Sequence, residues 1–187
     1  MDADDLFDIF FFHQAPVGLL ARGQVSAQRG AAAPVQPPRP QQQVQPAQHR
    51  VTLLDETLVA ETAVGGFGTQ PGELSSPSGV AFAPDGAFYV ADTGNARVQL
   101  FSGVGNWVAT FDEAVEEPRG LVVDGHGALF VADAGGAIHA FVPRTREHTV
   151  LEWPDAQPLD VAVHQDILWV LTRDPAALVR VRIVRGD

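Results

Sequence analysis

From Arg50 to the C-terminus, apolar residues fall in short alternating or continuous runs, broken by Gly, Pro, Asp and Ser. No window of useful length keeps the i, i+3, i+4, i+7 spacing of an amphipathic helix, so the pattern predicts strands and turns throughout. One set of strands is read at Gly79–Phe82, Phe88–Ala91, Arg97–Phe101 and Trp107–Phe111. A second set follows at Gly120–Val123, Leu129–Ala132, Ala137–Phe141 and His148–Leu151. Asp85-Gly86 and Asp124-Gly-His-Gly127 have the composition of hairpin turns, in which Asp bonds its own backbone and Gly86 or Gly127 supplies positive φ.

The two sets are copies of one unit. Pro77-Ser-Gly-Val-Ala-Phe-Ala-Pro-Asp-Gly-Ala-Phe-Tyr-Val-Ala-Asp92 recurs as Pro118-Arg-Gly-Leu-Val-Val-Asp-Gly-His-Gly-Ala-Leu-Phe-Val-Ala-Asp133, a spacing of 41 residues. A third copy opens 40 residues later at Pro158, lacks the Asp-Gly turn and the Val-Ala-Asp ending, and reaches a third strand at Leu178–Ile183. Earlier, Arg50-Val-Thr-Leu-Leu54 matches Arg97-Val-Gln-Leu-Phe101, and residues 57–64 stand where a fourth strand belongs. Repeats of this length, built from short strands and Gly turns, mark β-propeller blades. The fold class is therefore all-β: a propeller of four-stranded blades at 77–117, 118–157 and 158–187, with a partial blade at 50–64. An N-terminal strand completing the last blade would make about three blades, so this chain is expected to be an incomplete propeller. Bare sheet edges would then favour further blades or self-association.

Residues 1–48 read differently. The first 22 or so are acidic and aromatic, and the stretch to residue 48 is rich in Gln, Pro and Ala. It offers too little apolar surface to offset its ordering entropy and is expected to be a disordered extension ahead of the blades from residue 49. The acidic start does not suit a secretory signal, and Ile9–Phe12 is too short to cross a bilayer. The default expectation is a cytoplasmic protein, with the compartment otherwise open.

Charge and composition narrow the chemistry. The 187 residues carry 23 acidic and 12 basic side chains, a net −11, and every basic residue is Arg. That balance opposes nucleic-acid binding, which draws on clustered cations. With no cysteine, disulfides, thiolate metal sites and catalytic thiols are excluded. The six histidines show no H-x-x-x-H or H-E-x-x-H spacing. There is no G-x-S-x-G elbow, and Gly65-Gly-Phe-Gly68 is followed by neither Lys nor a helical pattern.

The stretch Gly66-Phe-Gly68, Gly72-Glu-Leu74, Pro77-Ser-Gly-Val, Asp85-Gly86 and Tyr89-Val-Ala-Asp-Thr-Gly-Asn-Ala-Arg-Val-Gln-Leu-Phe101 resembles an NHL repeat almost throughout. Residues 118–141 resemble a second copy, without the Asn and Arg, and 158–183 a poorer third. The resemblance implies a platform that binds proteins or, in some members, RNA; a minority of the family are enzymes. The zinc-dependent amidating lyases share the propeller and place a metal-binding His just after the blade-opening Pro. Those positions here are Ser78, Arg119 and Leu159, so no metal ligand and no cofactor carries over. No catalytic residue is assigned.

Asp92, Asn95 and Arg97 form the most specific local constellation, read as structural: Asp92 ends a strand, Asn95 tolerates left-handed φ, and Arg97 forks onto a carboxylate. Asp133 keeps only the turn-closing part of that role. Ser78, Arg119 and Leu159, each following a blade-opening Pro, should lie near the mouth of the central channel, where Arg119 could clamp a peptide carboxylate. Arg180 and Arg182 share one strand face, with Arg185 on the other. The leading expectation is a non-enzymatic scaffold that binds a protein or peptide. The alternatives are part of a metal-dependent lyase, hydrolase or lactonase propeller, and an RNA-binding domain.

Overall fold

The structure is a computed structural model that describes residues 41–45, 48–54, 60–153 and 155–184. The acidic-aromatic start, the Pro37–Pro40 segment and Arg185 lie outside the described residues. The described residues form fourteen strands in four antiparallel sheets. The first sheet contains β1 (Gln41–Gln45), β2 (Arg50–Leu54) and β3 (Ala60–Gly65), in that order. The second runs β4 (Gly79–Phe82), β5 (Phe88–Asp92), β6 (Arg97–Phe101) and β7 (Trp107–Phe111). The third runs β8 (Pro118–Val123), β9 (Leu129–Asp133), β10 (Ala137–Val142) and β11 (Glu147–Glu152). The fourth holds β12 (Gln157–His164), β13 (Ile167–Arg173) and β14 (Ala177–Arg182).

Two expectations change. Gln41–Gln45 falls in the stretch read as a disordered linker, yet it is a strand, with Val44 opposite Val51 and Gln43 opposite Thr52. Composition judged side-chain burial. What recruits β1 is the open backbone edge of β2, whose N–H and C=O groups need partners whatever the side chains are. The strand-forming region therefore starts at Gln41. Nor does an N-terminal strand complete the last blade: β1 pairs with β2, and β12 to β14 pair only among themselves among the described residues.

The sheets stack face to face, and the central strands show why. All five residues of β5 are buried, as are all five of β9. Successive side chains on a strand point to opposite faces. Phe88 and Val90 accordingly pack with Val51, Leu53, Val64 and Leu74 on the first-sheet side. Tyr89 and Ala91 pack with Leu121, Leu129, Val131 and Phe141 on the third-sheet side. Strand β9 repeats the device: Leu129 and Val131 face the second sheet, while Phe130 and Ala132 join Val161, Leu168 and Val170 of the fourth. A strand apolar on both faces is thus the seed of two seams. At about 1.5–3 kcal/mol for each large apolar side chain buried, these seams hold the sheets together.

The opening strands β4, β8 and β12 lie side by side, as the innermost strands of successive blades do. Glycine makes the approach possible. A Cβ at Gly79 would run into the backbone carbonyl of Arg119, and one at Gly120 would run into Asp160.

Candidate functional site

Asp92 is fully buried at the end of β5 and collects the polar contacts around it. Its Oδ1 accepts the Ser75 amide at 2.6 Å. Its Oδ2 accepts Asn95 Nδ2 at 2.8 Å, Arg97 Nε at 2.7 Å and Gln99 Nε2 at 3.1 Å. Those donors then reach the loop that crosses from the first sheet to the second. Arg97 donates to the carbonyls of Thr69, Gln70 and Glu73, Asn95 to Gly68, and Gln99 to Glu73 at 2.6 Å. Gln99 Oε1 also accepts the Gly72 amide. The cluster is a clamp on backbone carbonyls, with its charges and donors consumed internally. The sequence reading missed Gln99 and Ser75, because the link to the loop appears only when β6 is placed beside it.

In the third sheet the same carboxylate position is filled differently. The turn after Asp133 is one residue shorter than that after Asp92, since Asp92 pairs with Arg97 but Asp133 with Ala137. In register, Ala137 replaces Arg97 and His139 replaces Gln99. Turn closure alone does not describe Asp133, which corrects the sequence reading. Its carboxylate accepts the amides of Glu116 and Glu117 at 2.7 Å, Gly135 at 2.8 Å, and His139 Nε2 at 3.2 Å. Burial by itself would raise this acid. The hydrogen bonds from His139, Glu116, Gly135 and Glu117 outweigh it and hold the carboxyl below its ordinary range.

His139 is fully buried, and its Nδ1 lies 3.0 Å from His148 Nε2. In the neutral pair, an Nε2–H directed at Asp133 leaves Nδ1 of His139 to accept from His148 Nε2–H. Nδ1 of His148 is then a lone pair, facing Glu113 Oε2 at 4.0 Å. His148 also stacks on Phe141, ring centroids 4.1 Å apart. Burial, then the proximity of His139, push its pKa down against the opposing pull of Glu113. This Asp–His–His line runs along the seam between the second and third sheets. It was not legible in the sequence because His139 and His148 sit on different strands.

The third cluster lies on the opening strands. Ser78 Oγ is 2.6 Å from Thr93 Oγ1 and donates toward the carbonyls of Pro118 and Arg119 at 3.1 and 3.2 Å. Ser78 and Arg119 are therefore adjacent across the two blades, while Leu159 holds the corresponding position on β12 at a bulge between Pro158 and Asp160. Arg119 pairs with Glu117, two residues earlier in the segment that leads into β8. Its Nε is buried without a hydrogen-bond partner. On β12, Asp160 accepts the Val161 amide and no other donor among the described residues, and burial raises its pKa.

The hairpin residues have ordinary work. Asp85 accepts the Ala87 amide, Asp124 those of His126 and Ala128, and Gly86 and Gly127 have φ of 88° and 86°. Asp124, His126, His164 and Asp166 line an open cleft between two such turns. Among the described residues, no group of three or more His, Asp or Glu converges as a metal site. Arg180 lies over the Trp169 ring, 5.6 Å from its centroid.

Repeated antiparallel sheets stacked through apolar seams, with opening strands side by side, define a β-propeller-type fold. Residues 74–101 match the NHL repeat family, a span that contains Asp92, Asn95, Arg97 and Gln99 of the clamp. Over 77 residues it is 35% identical to mouse NHL-repeat-containing protein 4, covering 41% of this chain and 57% of that one. Among solved structures it is similar to virginiamycin B lyase from Staphylococcus aureus, with a TM-score of 0.56 and 16% identity over 74% of this chain and 50% of the lyase. It is also similar to a luciferin-regenerating enzyme, at TM-score 0.51 and 20% identity, over 66% of this chain and 43% of the enzyme. At these identities the structural likenesses show the fold. The chain spans about half the length of the relatives it matches.

Proposed function

We propose that this chain is a non-enzymatic NHL-repeat scaffold that binds an acidic peptide segment through the opening-strand face at Ser78, Arg119 and Leu159. The observation that carries the reading is the buried, unpartnered Nε of Arg119. A buried donor without an acceptor is costly, and such groups are rare unless something else satisfies them. Gly79 and Gly120 hold the surrounding backbone in close contact, while the Arg119 side chain as a whole is 40% exposed. A carboxylate brought by a partner would meet the exposed part of the guanidinium beside Glu117.

A metal-dependent lyase or hydrolase mechanism lacks a donor set among the described residues, and the acidity disfavours RNA. The test is fluorescence anisotropy with a library of acidic peptides on the full chain. Arg119→Ala should weaken the best binder by about tenfold or more, and Arg119→Lys should recover only part, because Lys lacks the planar fork. Equal binding by wild type and Arg119→Ala would overturn the assignment.

A further inference from the structure

We propose that His148 Nδ1 and the Glu113 carboxylate form a reversible site for a zinc-type divalent cation, which ties the loop between β7 and β8 to the outer strand of the third sheet. The buried relay behind His148 carries the argument. Asp133 is an acceptor on every side, so the His139 Nε2 that faces it holds the ring proton. His139 Nδ1 must then accept, and His148 Nε2, 3.0 Å away, must donate. That leaves the lone pair on His148 Nδ1, the form in which an imidazole binds a metal. Metal-ligating histidines almost always give their second N–H to a fixed acceptor, which sets ring direction and tautomer. Here His139 and Asp133, both buried, do this in two steps, while stacking on Phe141 holds the plane of the His148 ring.

The lone pair faces Glu113 Oε2 at 4.0 Å. Two acceptors turned toward one another are reconciled by a cation between them. Zinc bonds to imidazole nitrogen and carboxylate oxygen are each about 2.1 Å, so the two donor atoms stand about 3.4 Å apart at a tetrahedral angle and at most about 4.2 Å apart. The observed spacing falls inside that range. Glu113 is 85% exposed and has no other hydrogen bond or ion pair among the described residues, so its carboxylate is free to close the difference. Its backbone is held more firmly. Val115 is buried in the seam between the second and third sheets, its amide donates to the Asp112 carbonyl, and Ala114 turns the chain at φ 58°.

One imidazole nitrogen and one carboxylate oxygen suit zinc, copper(II) or nickel(II), whereas calcium and magnesium take sets of oxygens. Among the described residues no third His, Asp or Glu joins the pair, so water completes the coordination and the site is weak. Its role is bracing. Asp133 already holds the end of the crossing loop through the Glu116 and Glu117 amides, and a cation on Glu113 would fix its beginning to β11.

The experiment titrates the full chain, stripped with chelator, with zinc chloride at about pH 7.5, where an ordinary histidine is neutral. Ring nitrogen-15 spectra should show His148 Nδ1 unprotonated before zinc and metal-bound after it, and the melting temperature should rise with zinc concentration. Magnesium should do neither. His148→Gln should abolish the rise, and Glu113→Gln, an exposed change that leaves the core intact, should weaken zinc about tenfold or more. His139→Gln tests the positioning role and should cost about 10–100-fold in affinity. His126→Ala, on the hairpin turn after β8, should change nothing. An unmoved His148 Nδ1 in millimolar zinc would overturn the proposal, as would zinc binding to Glu113→Gln as tightly as to wild type. A proton on His148 Nδ1 before zinc is added would overturn it too, because the relay would then run the other way or a proton would already hold the place of the metal.

Discussion

At the scale of single residues, the Asp92 and Asp133 clusters solve one problem with different chemistry. Both hold a crossing loop against the end of a second strand. Asp92 does so through Arg97, Asn95 and Gln99, and Asp133 through direct loop amides and His139. Arg97→Ala would strip the cation from a fully buried carboxylate and take the Arg97 donors from the Thr69 and Gln70 carbonyls, while Glu73 keeps Gln99. Removing one partner of a buried pair costs about 3–5 kcal/mol, so urea unfolding should show a loss near the lower end of that range. Loss below about 1 kcal/mol would mean the clamp is idle.

The histidine line sets a pH dependence. His148 has a folded pKa below its unfolded value of about 6.5. As pH falls below that, the unfolded imidazole takes up a proton that the folded one resists, so stability declines until the folded pKa is reached. Denaturant midpoints should therefore drop as pH falls through about 6.5, and His148→Gln should flatten that slope. The Asp133 contribution is separate: its lowered pKa gives stability above the ordinary carboxylate range that is lost on further acidification. Asp160 has the opposite sign. Its raised pKa means that folding disfavours the charged form, a cost that grows as pH rises from about 3.8 through the folded pKa and persists above it. Asp160→Asn should accordingly raise the melting temperature at pH 7, and a lowered one would show that the charge is used.

At the scale of elements, the two blades at β4–β7 and β8–β11 were legible because strands buried on both faces leave continuous apolar runs between Gly turns. Phe88-Tyr-Val-Ala91 and Leu129-Phe-Val-Ala132 are such runs. Strand β1 was not legible. Gln41-Gln-Gln-Val-Gln45 carries no strand pattern, and only the neighbouring edge of β2 makes it one. The site residues divide in the same way. Asp92, Asn95 and Arg97 are close in sequence and announced themselves, whereas Gln99, Ser75 and the His139–His148 pair depend on registers set across turns of unequal length. Gly79 and Gly120 belong to this scale too, since each permits two opening strands to touch. Gly79→Ala should cost about 1–3 kcal/mol, the range for forcing extra volume into a packed contact. Tolerance of that substitution would show that β4 and β8 stand further apart than the carbonyl contact implies.

At the scale of the molecule, the seams are unequal in number. Among the described residues, the second and third sheets are each gripped on two faces, but the fourth on one. In stacked repeats each unit is stabilised by its own folding and by nearest-neighbour interfaces, so the end with one interface should open first. Three tryptophans report this directly, because Trp107 lies in the second sheet, Trp153 just beyond the third and Trp169 in the fourth. Variants keeping one tryptophan at a time, unfolded in urea at low protein concentration, should lose the Trp169 signal at a lower midpoint than Trp107. If all midpoints coincide, the described sheets behave as one cooperative body, and the single seam of the fourth sheet is no weaker than the paired seams of the second.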